Sequence, residues 1–90
     1  MEYADAVNIV REKVEELSNC SNLSEETQLI GDGSVMDSMK LVELCLALED
    51  EATEVGFEFD WTSESAMSRA RSMFRTVGSL ATEYAAQSEK

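Results

Sequence analysis

Ninety residues, 19 acids against seven bases, a formal net charge of −12 and a 43% apolar share describe one small acidic domain. That apolar share is enough for a modest core and excludes wholesale disorder. The charge would repel the phosphates of nucleic acid and of anionic membranes, and it favours partners with basic patches.

The absence of proline, with only four glycines, favours helix. A first helix is expected from about Tyr3 to Leu17, where Tyr3, Val7, Val10, Val14 and Leu17 repeat at helical spacing and Glu12, Glu15 and Glu16 fall off the stripe. Ser18, Asn19, Ser21 and Asn22 end it. A long connection follows to Asp37. It is polar, yet Leu23, Leu29, Ile30, Val35 and Met36 read as anchors that pin it to the core.

A second helix is expected from Ser38 to about Glu51. Leu41, Leu44, Cys45 and Leu48 form a core stripe. Met39, Val42, Leu46 and Glu49 form a second stripe, which a small domain cannot easily bury as well. One reading is a central helix buried all round. The favoured one is an exposed apolar patch rimmed by Glu43, Glu49 and Asp50, because acids interleaved with the stripe would be costly to bury unpaired. The segment from Glu54 to Trp61 alternates Val55, Phe57, Phe59 and Trp61 with polar residues and glycine. With no second strand to pair with, it reads as an extended loop docking aromatics on the core. A short helix from about Ser63 to Met73 and a last helix from a Thr76 cap to about Gln87 complete the chain, the last burying Val77, Leu80, Ala81, Tyr84 and Ala85. The expected fold is all-α: a small four-helix up-and-down bundle over residues 1–90, with a long loop between helices 1 and 2 and a short helix 3.

Two cysteines make no disulfide framework and no metal-ligand spacing; Cys45 reads as a core residue and Cys20 as a free thiol. The longest unbroken apolar run, Leu44 to Leu48, is far too short for a membrane span, and the cytoplasm is the default location. Ser38 stands at a helix start, where unpaired N–H groups and the positive dipole end suit an attached phosphate. Nucleophilic catalysis by Ser38 is excluded, since the chain has no histidine to activate it and no Gly-x-Ser-x-Gly elbow. Simple capping is the plainer role. However, the residues three beyond Asp37 and Ser38 are Lys40 and Leu41, so no capping box supports it. A calcium loop from Asp32 to Glu43 fails at its middle, where Ser34, Met36 and Asp37 replace the required ligands and glycine.

The run Thr27-Gln28-Leu29-Ile30-Gly31-Asp32-Gly33-Ser34-Val35-Met36-Asp37-Ser38-Met39-Lys40-Leu41-Val42-Glu43-Leu44, continued through Ala47-Leu48-Glu49-Asp50-Glu51, resembles the acyl carrier protein and peptidyl carrier protein superfamily. Its mark is a buttressing loop, Asp-Ser followed by Leu, Met or Ile, and an apolar helix with Val-Glu-Leu near its start. The segment from Phe74 to Leu80 is similar to that family's approach to its last helix, and the likeness covers roughly residues 3 to 86. The resemblance implies a four-helix bundle that is not an enzyme. In it Ser38, flanked by Asp37 and Met39, receives 4'-phosphopantetheine from CoA through a phosphopantetheinyl transferase, and the arm's thiol carries acyl or aminoacyl groups as thioesters. It also implies docking of basic enzyme surfaces on Asp37, Met39, Val42, Glu43, Leu46, Glu49 and Asp50, with Leu44 and Leu48 lining a core that can shelter a short acyl chain.

This chain departs from the typical fatty-acid carrier at Lys40, in Gly-Ser-Val-Met before Asp37, and in a more aromatic and basic stretch from Gly56 to Arg75. Those departures point to a specialised biosynthetic pathway. Met1 and Lys90 flank the domain with little linker, which reads as a free-standing chain rather than a module cut from a synthase, and a monomer is expected. The alternative is an acidic helical adaptor that binds a basic protein and is never modified.

Overall fold

The computed structural model describes residues 1–30 and 37–89, with Ser38 described through its backbone alone. The expected anchors Val35 and Met36, and Asp32 and Ser34 of the rejected calcium loop, lie outside the described residues. Five helices follow in order: α1 (Tyr3–Ser18), α2 (Ser38–Val55), α3 (Glu64–Ser68), α4 (Ala70–Met73) and α5 (Val77–Ser88). Among the described residues there is no strand, only an isolated antiparallel bridge between Gln28 and Thr76. The all-helical class matches expectation; the count differs because the short third helix is split in two.

Helix α1 packs against both α2 and α5. Its buried stripe is Ala6, Val10 and Val14, all fully buried, whereas Tyr3 is 43% exposed and Val7 and Leu17 are half-buried. Val10 and Val14 thus hold the expected stripe, and Ala6 rather than Tyr3 or Val7 completes it towards the N-terminus. Ala6 carries little hydrophobic signal, but its small side chain suits close helix approach. Asn19 ends α1 in the left-handed region (φ 62°), donating its N–H to the Glu15 carbonyl at 3.0 Å, a conformation that asparagine tolerates better than most residues.

The described part of the connection is pinned as expected: Leu29 is fully buried, and Leu23 and Ile30 pack against the core. Its main chain also serves the start of α5. Thr27 and Glu25 carbonyls accept from the N–H groups of Val77 (3.0 Å) and Gly78 (2.8 Å), and Leu29 N–H donates to the Arg75 carbonyl at 3.0 Å. The Thr76 hydroxyl accepts from Ser79 N–H and the Ser79 hydroxyl accepts from Thr76 N–H, closing a capping box. The first donors of α5 thus all find partners, and the connection is held at the bundle end.

Helix α2 runs one turn beyond the expected Glu51. The core stripe continues from Leu48 to buried Ala52, and Gly56 stops the helix in the left-handed region (φ 97°). Phe57 N–H reaches back to the Ala52 carbonyl at 2.9 Å and Gly56 N–H to that of Thr53 at 3.3 Å, the bonding of a Schellman motif. Glu54 and Val55, expected in the loop, therefore belong to the helix. The loop itself docks aromatics as expected. Phe57 and Phe59 meet the ring of Tyr84 edge-on, at centroid distances of 5.1 and 5.0 Å. Helix α3 is capped by Ser63, whose hydroxyl accepts from Ala66 N–H at 3.1 Å. It gives way to α4 at Arg69 (φ −101°, ψ 0°), whose guanidinium pairs with Glu83 at 3.0 Å.

Candidate functional site

Asp37 is the N-cap of α2, and its Oδ1 accepts from Lys40 N–H at 2.8 Å. Capping at this helix start therefore falls to Asp37, although no capping box announced it in the sequence. Ser38 is the first helical residue, at the positive end of an 18-residue helix; its side chain lies outside the described residues.

The expected two stripes of α2 are both present. Leu44, Cys45, Leu48 and Ala52 are buried, with Leu41 half-buried. Met39 is 79%, Val42 47% and Leu46 50% exposed, so the second stripe faces outward from one residue past Ser38. Glu43 and Asp50 are exposed beside it. Lys40 Nζ lies 3.8 Å from the Glu43 carboxylate, both about half exposed, an ion pair of little energetic weight.

Glu49 departs from its expected place on the rim. It is half-buried, and its Oε1 accepts the indole N–H of Trp61. This contact was not legible, since it joins positions twelve apart through a loop whose path the sequence does not specify. Gln87 was also missed. It is buried at the end of α5, where its amide accepts from Asp60 N–H (2.6 Å) and donates to the Asp60 carbonyl (2.8 Å), fastening the α2–α3 loop. A polar residue continuing the Leu80–Tyr84 stripe was the available signal.

Leu44 and Leu48 are fully buried in the core. Two open clefts lie elsewhere among the described residues: one of about 600 Å³ includes Ile9, Val55 and Phe57, and one of about 650 Å³ includes Phe57, Asp60, Arg69 and Gln87. Among the described residues no cluster of three His, Cys, Asp or Glu could hold a metal ion, and no helix is long and apolar enough to cross a membrane.

No family model, curated protein or solved structure matches this chain.

The two thiols differ sharply in environment. Cys20 is exposed; Cys45 is buried, and burial, reinforced by the charge of Glu49, pushes its thiol up to about 12. The thiolate is the reactive form. With a thiol-reactive reagent at pH 8, Cys20 is expected to label fast. Cys45 should label only through unfolding, its rate rising with urea. Equal labelling of both thiols in intact protein, counted by peptide mass, would contradict the packing of α2.

Proposed function

We propose that this chain is a discrete carrier protein that bears a 4'-phosphopantetheine arm on Ser38 and presents acyl or aminoacyl groups to partner enzymes of a specialised pathway. The observation that carries the reading is the position of Ser38. It is the first residue of α2, immediately after the Asp37 cap and immediately before the exposed stripe of Met39, Val42 and Leu46. The sequence run from Thr27 to Glu51 supports it through its resemblance to carrier proteins.

The helix start fits an attached phosphodiester. The α2 dipole favours negative charge there, and the Asp37 carboxylate already serves Lys40 N–H. When attached, the arm supplies a thiol that holds cargo as a thioester. The chain's own residues present this position and dock the enzymes that act on it. Met39, Val42 and Leu46 offer apolar area, and Glu43 and Asp50 offer charge for a basic surface. The chain has no histidine, in keeping with a protein that leaves the chemistry to its partners.

The test is intact mass after incubation with CoA and a broad-specificity phosphopantetheinyl transferase. One phosphopantetheine is expected on the wild-type chain and none on Ser38→Ala. An unchanged wild-type mass would overturn the carrier reading and leave the unmodified acidic adaptor.

A further inference from the structure

Trp61 is the chain's single tryptophan, half-buried against the core, and its indole N–H has Glu49 Oε1 as acceptor. An indole donates and cannot accept, so a partly buried one needs such a partner, and a charged acceptor makes the stronger bond. Glu49 is three residues past Leu46 on α2, at the end of the exposed stripe. One carboxylate thus serves two places: the end of an apolar docking face and the fastening of the loop after α2.

That loop governs α3. Phe59 is buried beside Tyr84, and Gln87 holds Asp60 by its main chain. The Asp60 carboxylate accepts from Ser63 through both N–H (3.1 Å) and hydroxyl (2.6 Å), and Ser63 caps α3. Within α3 itself Ala66 is the buried residue, while Met67 is 62% exposed. Five residues with so little burial cannot hold their own position, so α3 depends on the loop that leads into it.

We propose that Glu49 couples docking to loop loosening: a basic group on a partner seated over Met39, Val42 and Leu46 takes the Glu49 carboxylate from the Trp61 indole and loosens the Trp61 end of the loop and the α3 that follows it. The chemistry favours a guanidinium. Its planar fork binds both carboxylate oxygens, whereas the indole offers a single N–H. The chain's net charge of −12 draws such a partner in. The coupling lies entirely in Glu49, Trp61 and α3 and does not require an arm on Ser38.

The experiment uses the unmodified full chain, so that its failure is separate from failure of the carrier reading. A fluorescein-labelled hexa-arginine peptide is titrated at low salt, where charge pairing is least screened. Peptide binding is followed by anisotropy, Trp61 by acrylamide quenching and emission with unlabelled peptide, and helix content by far-ultraviolet circular dichroism. The wild type is expected to bind, shift its emission to the red and quench more readily with helix content retained; amide exchange in residues 64–68 should quicken in parallel. Glu16→Gln, which removes an exposed acid of α1 outside the α2 face, should respond in the same way. Glu49→Gln keeps an oxygen acceptor for the indole but loses the charge, so its emission should not move. Unchanged Trp61 emission in peptide-saturated wild type, or a Glu49→Gln response equal to wild type, would overturn the coupling.

Discussion

Tyr84→Ala is expected to leave the chain largely unfolded under conditions where the wild type is folded. Tyr84 is the largest fully buried side chain. It is met edge-on by Phe57 and Phe59, and its hydroxyl donates to the Leu48 carbonyl at 2.9 Å. Removing a buried aromatic costs about 3–5 kcal/mol, and each edge-to-face pair contributes about 0.5–1.5 kcal/mol beyond its area. A domain this small sits towards the low end of the usual stability of about 5–15 kcal/mol, so the loss is comparable with the whole. Tyr84→Phe keeps the ring contacts and gives up one hydrogen bond, so it should cost about 1 kcal/mol. Urea unfolding followed through Trp61 and circular dichroism separates the two; a Tyr84→Ala loss below that of Tyr84→Phe would refute the packing. Alkali supplies a further check. Burial, with Glu51 adding to it, raises the phenol above its ordinary value. A group whose folded value is raised contributes stability in full below its unfolded value, near pH 10 for tyrosine, and loses it as pH rises further. Tyr84→Phe should therefore lose less stability above about pH 10 than the wild type does.

The termini of the helices were legible where one residue carries a conformational signal, and obscure where packing decides. Thr76 as a cap, Asn19 as a stop and the two-sided character of α2 follow from side-chain chemistry and spacing. Gly56 was equally readable as the end of α2. Its signal is masked by the alternation of Val55, Phe57, Phe59 and Trp61, which has a strand period. The break at Arg69 has no glycine or proline behind it, and nothing local distinguishes it from a continuous helix. At the candidate site, the exposure of Met39, Val42 and Leu46 came from reading acids as unburiable. An unpaired acid is costly to bury, but Glu49 offsets that cost by accepting the indole N–H of Trp61. A carboxylate's partner can come from anywhere in the fold, which spacing along one helix cannot report.

Charge reversal at Glu43 is expected to slow transferase modification of Ser38 about tenfold at low salt, within the range over which electrostatic steering changes association rates. Glu43 is exposed on the rim, while Lys40 is the base beside it, so the two substitutions push in opposite directions. Glu43→Lys places a second cation beside the first and repels a basic surface; Lys40→Glu removes the lone cation and should quicken modification. Both effects should shrink as salt rises, because the Debye length falls from about 10 Å at 0.1 M to about 3 Å at 1 M. Stability should change by no more than about 0.5 kcal/mol in either variant, since the ion pair they break is a surface one. Leu46→Asp tests the apolar part of the same face. A buried anchor at an interface is worth about 2 kcal/mol or more, so kcat/KM should fall about thirtyfold and stay low at high salt, where the charge variants recover. Salt response thus separates steering by Glu43 from contact by Leu46. Wild-type modification rates for Glu43→Lys at low salt would show that the acidic rim does not guide the enzyme to Ser38, and an unaffected Leu46→Asp would show that this face of α2 is not where it docks.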